Sequence, residues 1–106
     1  MANNYKNALL DLTTASETTL YTVPAATSTI FKSILVSDDS GSGDTITLTL
    51  TNGANVFSIY KTKTISANGT EELLTNPLVL QEEQVLKVTA ATADRLHVVG
   101  SFLEIT

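Results

Sequence analysis

The sequence contains no cysteine, no tryptophan and only one histidine among its 106 residues. Without cysteine there is no disulfide framework, no thiolate zinc site and no nucleophilic thiol. Basic residues are also few, because six Lys and Arg stand against eleven Asp and Glu and give a net charge of -5. This charge has the wrong sign for a protein that binds phosphate backbones or anionic lipid surfaces. We therefore expect neither nucleic acid nor a membrane as a partner.

Long apolar runs are missing as well. The longest of them fall far short of the roughly 18 residues that cross a bilayer, and the polar start of the chain does not resemble a targeting segment. We expect a soluble chain that is not secreted. Its length suits one domain, so we predict a single domain over residues 1–106, with residues 1–7 as a polar N-terminal arm.

Threonine is abundant, with eighteen residues concentrated in segments that alternate polar and aliphatic side chains. A branched Cβ favours the extended backbone. The segment Asp44–Thr51 places Ile and Leu on one face of a strand and Thr on the other. The pair Asn52-Gly53 accepts the positive φ values of a tight turn, so Asn55–Ile65 is predicted to pair with it as a hairpin.

Other segments with strand character recur at similar spacing, and none carries the apolar stripe of a helix. They are Ala8–Leu12, Thr18–Val23, Thr29–Ser37, Glu71–Leu80 interrupted by Pro77, Gln84–Ala90 and Arg95–Ile105. Strands every 8 to 12 residues or so with turns between them favour antiparallel sheets. We predict an all-β, jelly-roll-like antiparallel β-sandwich of about eight strands.

The alternation also predicts which aliphatic side chains face the interior. The predicted core consists of Leu20, Ile34, Val36, Ile46, Leu48, Leu50, Val56, Ile59, Val79, Val85, Val88, Val98 and Leu103. In the last strand the apolar phase shifts from Leu96 and Val98 to Leu103 and Ile105 around Gly100. We therefore predict a β-bulge at Gly100.

Residues that carry chemistry do not form a recognisable site. Asp38–Asp44 begins like a calcium loop, but Thr49 stands at the twelfth position, where a bidentate Glu is required. His97 lies in an apolar run without a Gly-x-Ser-x-Gly motif. Adjacent carboxylates such as Glu71 and Glu72 face opposite sides of a strand, unlike the facing pair of a glycosidase. We predict no catalytic residue, no metal site and no cofactor.

The segment Tyr60–Thr64 carries two lysines. Alternation places Lys61 and Lys63 on one face and Tyr60 on the other. This arrangement fits a contact with an acidic partner, and it equally fits lysines that protect a sheet edge from aggregation.

Four stretches of the chain resemble small β-sandwich virion proteins of tailed bacteriophages, of the type that decorates or cements capsids or builds fibre and tail accessories. They are Leu20–Ala25, Ile34–Ser37, Leu80–Val88 and Ser101–Ile105. The resemblance implies a non-enzymatic protein, made in the host cytoplasm, that binds the major capsid protein on the outer capsid surface and forms a homotrimer.

Candidate contact residues follow from this role. We expect contacts from Tyr5 in the arm, from Asp38, Asp39 and Asp44 in the loop, and from Tyr60, Lys61 and Lys63. Two alternatives remain open at this point. One is a head or tail fibre or accessory protein, and the other is a carbohydrate-binding β-sandwich module that uses exposed aromatics such as Tyr60.

Overall fold

The computed structural model describes residues 2–106, and this part of the chain forms nine β-strands without a helix. The strands are β1 (Asn3–Asp11), β2 (Thr18–Thr22), β3 (Ser28–Asp38), β4 (Asp44–Asn52), β5 (Asn55–Ile65), β6 (Thr70–Glu72), β7 (Leu78–Leu80), β8 (Val85–Ala90) and β9 (Leu96–Ile105). Since no helix forms, residues 2–106 hold no helical segment of the length and apolarity that a membrane span requires.

The strands form two antiparallel sheets. Sheet A has the order β1-β9-β3-β6, with β7 also paired to β3, and sheet B has the order β2-β8-β4-β5. Because β6 and β7 pair with opposite ends of β3, they act as one strand interrupted around Pro77. Only the β4–β5 hairpin then stays within one sheet, and every other connection crosses between sheets. This is the strand order of a jelly roll, which confirms the predicted fold.

Most of the predicted core lies between the two sheets. The buried members are Leu20, Ile34, Val36, Ile46, Leu48, Val88 and Val98. Leu50, Ile59, Val85 and Leu103 are half-buried. The prediction is wrong for Val56 and Val79, which are 59% and 60% exposed. Directly paired residues point to the same side of a sheet. Val56 is paired with Thr51 of β4 and Val79 with Ile30 of β3, and both partners are on outer faces.

The predicted bulge at Gly100 is also wrong. β9 pairs with β1 in unbroken register, and its even-numbered residues from Leu96 to Glu104 are buried. A Cβ on Gly100 would lie 2.9 Å from Cε2 of Phe31, so the glycine makes room for this ring. A bulge lies instead in β3, at Lys32. Phe31 pairs with Phe102 and the next pair joins Ser33 to Ser101, so Lys32 is the inserted residue.

The predicted N-terminal arm is part of the sheet. Met1 lies outside the described residues, whereas Asn3–Asn7 form the first half of β1 and pair with β9. Alternation gives no signal here because the segment is polar on both faces. Among the described residues, β1 is an edge strand of sheet A and β9 is the only strand that pairs with it.

Candidate docking surface

The loop after β3 is organised by Asp38. This side chain is only 5% exposed, and its carboxylate accepts hydrogen bonds from the backbone N–H groups of Ser40, Gly41, Gly43 and Asn68 and from the Ser40 hydroxyl. These donors, the Ser40 hydroxyl first, hold the pKa of Asp38 far below its ordinary value. Asp38 is therefore unavailable for the direct contact that we expected, and its oxygens are already engaged.

The other two carboxylates of this loop are more accessible. Asp39 is exposed, and Asp44 is partly exposed and accepts a 2.8 Å hydrogen bond from the Thr92 N–H. Arg95 Nη1 donates to the Gly43 carbonyl at 3.0 Å. The loop is thus tied to the turn before β9. Across residues 2–106, no group of three or more His, Asp or Glu side chains is arranged to hold a metal ion.

The lysines of β5 do not lie as alternation predicts. Tyr60 pairs with Leu48 and Lys63 pairs with Ile46, so three steps along β5 match two along β4. Thr62 has a φ of 60° in this bulge, and its N–H donates to Thr47 Oγ1. Lys63 consequently shares a face with Tyr60, with its Nζ 5.7 Å from the ring centroid.

This rearrangement changes what β5 offers to a partner. Lys63 Nζ lies 3.8 Å from Glu71 Oε1, and Tyr60 packs half-buried against the core. Of the three predicted contacts in this strand, Lys61 is exposed, whereas Tyr60 and Lys63 are half-buried. The exposed aromatics are instead Tyr5 and Phe57, which lie on different sheets and so do not form one sugar-binding platform.

A buried polar cluster joins the two sheets, and the sequence analysis missed it. Glu104 on the inner face of β9 is 6% exposed, accepts a hydrogen bond from Tyr21 Oη of β2, and lies 2.8 Å from Lys6 Nζ. Tyr21 Oη also lies 2.8 Å from Thr29 Oγ1. Burial and the Glu104 carboxylate raise the pKa of Tyr21 to about 12, whereas Lys6 and Tyr21 lower that of Glu104. The carboxylate is fully partnered, which favours a structural role.

The outer face of sheet A carries two rows of apolar side chains. One, the Leu9 row, runs across β1, β9 and β3 and consists of Leu9, Val99 and Leu35. The other, the Tyr5 row, runs across the same strands onto β7 and consists of Tyr5, Leu103, Ile30 and Val79. Asn7, Ser101 and Ser33 lie between the rows. We call the two rows together the apolar face.

This surface is exposed to a degree that is unusual for apolar side chains. Tyr5 is 77% exposed, Leu9 65% and Val79 60%, and Leu35 and Val99 are also exposed. Charged residues lie at its margins. Glu72 of β6 is paired with Leu35 of β3, and His97 Nε2 lies 3.3 Å from Asp11 Oδ1. Exposed apolar side chains that cluster on one face and are rimmed by polar residues are typical of a protein-binding surface.

The outer face of sheet B is different, because β4 lines its centre with threonines. Thr47 receives the Thr62 N–H, and Thr49 is buried beneath its neighbours. Lys87 of β8 pairs with Thr49 and lies 3.6 Å from Glu17. The apolar side chains that are open to solvent are therefore concentrated on sheet A.

Comparison with known proteins gives no match, either to a protein-family model or to a curated protein.

Proposed function

We propose that this chain is a non-enzymatic structural protein of a tailed-phage virion, which decorates the outer capsid surface and docks on the major capsid protein through the apolar face. The exposed apolar face carries the proposal. Leaving Tyr5, Leu9 and Val79 in water is unfavourable, and covering them with a flat protein surface recovers that free energy.

The buried polar groups support binding rather than catalysis. The carboxylates of Asp38 and Glu104 both have their hydrogen-bonding capacity used within the fold. An acid or base that reacts with a substrate needs an accessible atom in a cleft, and these two groups brace a loop and an inter-sheet contact instead. The resemblance to small β-sandwich virion proteins directs the proposal to a capsid.

The mechanism would be mass action. A protein that binds assembled capsid subunits but not dissociated ones shifts the equilibrium toward the intact shell, by an amount that grows with its free concentration relative to Kd. A rigid module suits this task because little conformational entropy is lost on docking. The bracing of the Asp38 loop and the Tyr21–Glu104 contact both contribute such rigidity.

The test uses two valines of matched exposure on different sheets. Val79 lies in the Tyr5 row and is 60% exposed, and Val56 lies on sheet B and is 59% exposed. Purified protein would be cosedimented with shells assembled from the major capsid protein of the same phage. We expect V79D to weaken binding about tenfold or more, because it buries an unpaired carboxylate. V56D should bind like the wild type.

Equal binding of V79D and wild type would contradict the proposed surface. Loss of binding in V56D alone would place the contact on sheet B. The position of gold-labelled antibody on intact particles distinguishes the rival function, since label on the tail instead of the head would identify a fibre or tail accessory protein.

A further inference from the structure

The free edges of the two sheets are unequally protected against pairing with another strand. β2 has five residues with a register shift after Thr19, β5 has two register shifts, and β6 and β7 have three residues each. Bulges and short strands are devices that prevent edge pairing. β1 has neither, because its nine residues pair with β9 in unbroken register.

The open side of β1 presents unused backbone groups. Ala2 and Thr106 exchange hydrogen bonds of 3.1 and 3.0 Å, and Leu12 N–H donates to the Leu96 carbonyl. In an antiparallel pair such bonding residues alternate along the strand. The even-numbered residues of β1 therefore bond to β9, and Asn3, Tyr5, Asn7 and Leu9 direct their N–H and C=O groups outward.

We propose that two copies of this chain pair through β1, antiparallel about a two-fold axis at Asn7. In this register Asn7 lies opposite the partner's Asn7, and Tyr5 opposite the partner's Leu9. The outward backbone groups then bond to each other, and sheet A becomes one continuous sheet of twice the width.

The side chains of β1 are self-complementary in this register. Tyr5 and Leu9 are equally distant from Asn7, so each aromatic ring meets an aliphatic side chain, which is a favourable cross-strand pair. The Tyr5 row of one copy thereby continues into the Leu9 row of the other. Facing Asn7 amides can donate and accept hydrogen bonds. Because one symmetric register meets all of these conditions, a second copy is the occupant that fits this edge.

An inward-pointing lysine on an edge strand normally opposes pairing, and Lys6 points inward. Here its charge already has a partner, since Nζ lies 2.8 Å from the buried Glu104 carboxylate. The two-fold register places Lys6 beside the partner's Ala8, a small side chain without charge. Pairing at β1 therefore leaves no charge unpaired. The product is a closed dimer rather than the trimer that the resemblance implies.

The absence of cysteine allows a direct test by disulfide formation. Directly paired Cα atoms lie about 5.5 Å apart, which is within the range of a disulfide. We expect Asn7→Cys to form a covalent dimer under mild oxidation. Tyr5→Cys on the same strand is the control, because its two thiols would lie about 13 Å apart along the strands, and it should stay unlinked. Equal cross-linking of the two variants would overturn the register.

Sedimentation equilibrium supplies the second measurement. The wild type should have the mass of a dimer, and a monomer or a trimer would overturn the proposal. Asn7→Pro removes the outward N–H without affecting the bonds to β9, so it should give a monomer with the wild-type circular dichroism spectrum. Asn7→Ala removes the same side chain but retains the N–H, and should stay dimeric. Should Asn7→Pro fail to fold, the cysteine variants still decide the question.

Discussion

Replacement of Gly100 by alanine tests how the interior of sheet A is packed. The new Cβ would lie 2.9 Å from Cε2 of Phe31, well inside ordinary van der Waals contact. Phe31 has little room to move, because it is fully buried, its ring stacks on Phe102 at 4.7 Å between centroids and it contacts Tyr21 edge-on at 5.3 Å. Overpacking of this kind costs about 1–3 kcal/mol, and we expect G100A to lower the free energy of unfolding in urea by that amount.

A double-mutant cycle identifies the cause of that loss. If the clash with Phe31 is responsible, Phe31→Leu removes the ring edge and the double variant F31L/G100A should be more stable than the two single losses predict, by about 0.5–3 kcal/mol. Gly53→Ala is the control, since its added Cβ meets nothing within 4 Å and its cost arises from a φ of +63°. Its effect should add independently to that of F31L. Additive behaviour of G100A and F31L, or an unchanged stability in G100A, would refute the packing argument.

Three further changes probe the polar groups. Asp38→Asn should lower the urea midpoint at neutral pH, and the difference from wild type should shrink as the pH falls below 3.8, because the lowered pKa of Asp38 stabilises the fold only while the carboxylate is charged. The wild type should lose stability as the pH rises from 10.0 to about 12, because Tyr21 ionises at a lower pH in the unfolded chain than in the folded one, and Tyr21→Phe should remove this loss. Urea unfolding across this pH range measures the effect, and an equal dependence of stability on pH in the two proteins would contradict the prediction. Thr49→Val replaces a buried hydroxyl that has no hydrogen-bond partner. Thermal unfolding should therefore show a variant that is as stable as the wild type or more stable by up to about 1 kcal/mol.

The fold was predictable where local alternation coincides with burial. β4 alternates threonine with aliphatic residues, faces the core on one side only and is followed by an Asn-Gly turn, so its extent and its pairing with β5 follow from the sequence. The bulges at Lys32 and Thr62 were not predictable, because a single inserted residue depends on the partner strand. Each bulge reverses the phase of alternation beyond it, and for this reason Lys63 lies on the same face of β5 as Tyr60.

The docking surface was less accessible to sequence reasoning. The Leu9 row joins residues from the start, the middle and the end of the chain, and only the register of β1, β9 and β3 makes them neighbours. Within each strand these side chains look like ordinary core candidates or isolated apolar residues. The inward position of Glu104 was similarly hidden, because Leu103 and Ile105 beside it suggested the opposite phase.

The dimer and the docking surface together predict how strongly this protein holds a capsid. Directly paired residues point to the same side of a sheet, so pairing at β1 places both apolar faces on one side of the joined sheet. If both faces engage the shell, the second contact becomes intramolecular, and the gain in apparent affinity is about 10²–10⁴-fold. We therefore expect Asn7→Pro to bind capsid shells more weakly than Asn7→Ala by that factor, measured by cosedimentation over a range of protein concentrations. Equal affinities would show that only one copy of the dimer contacts the shell at a time.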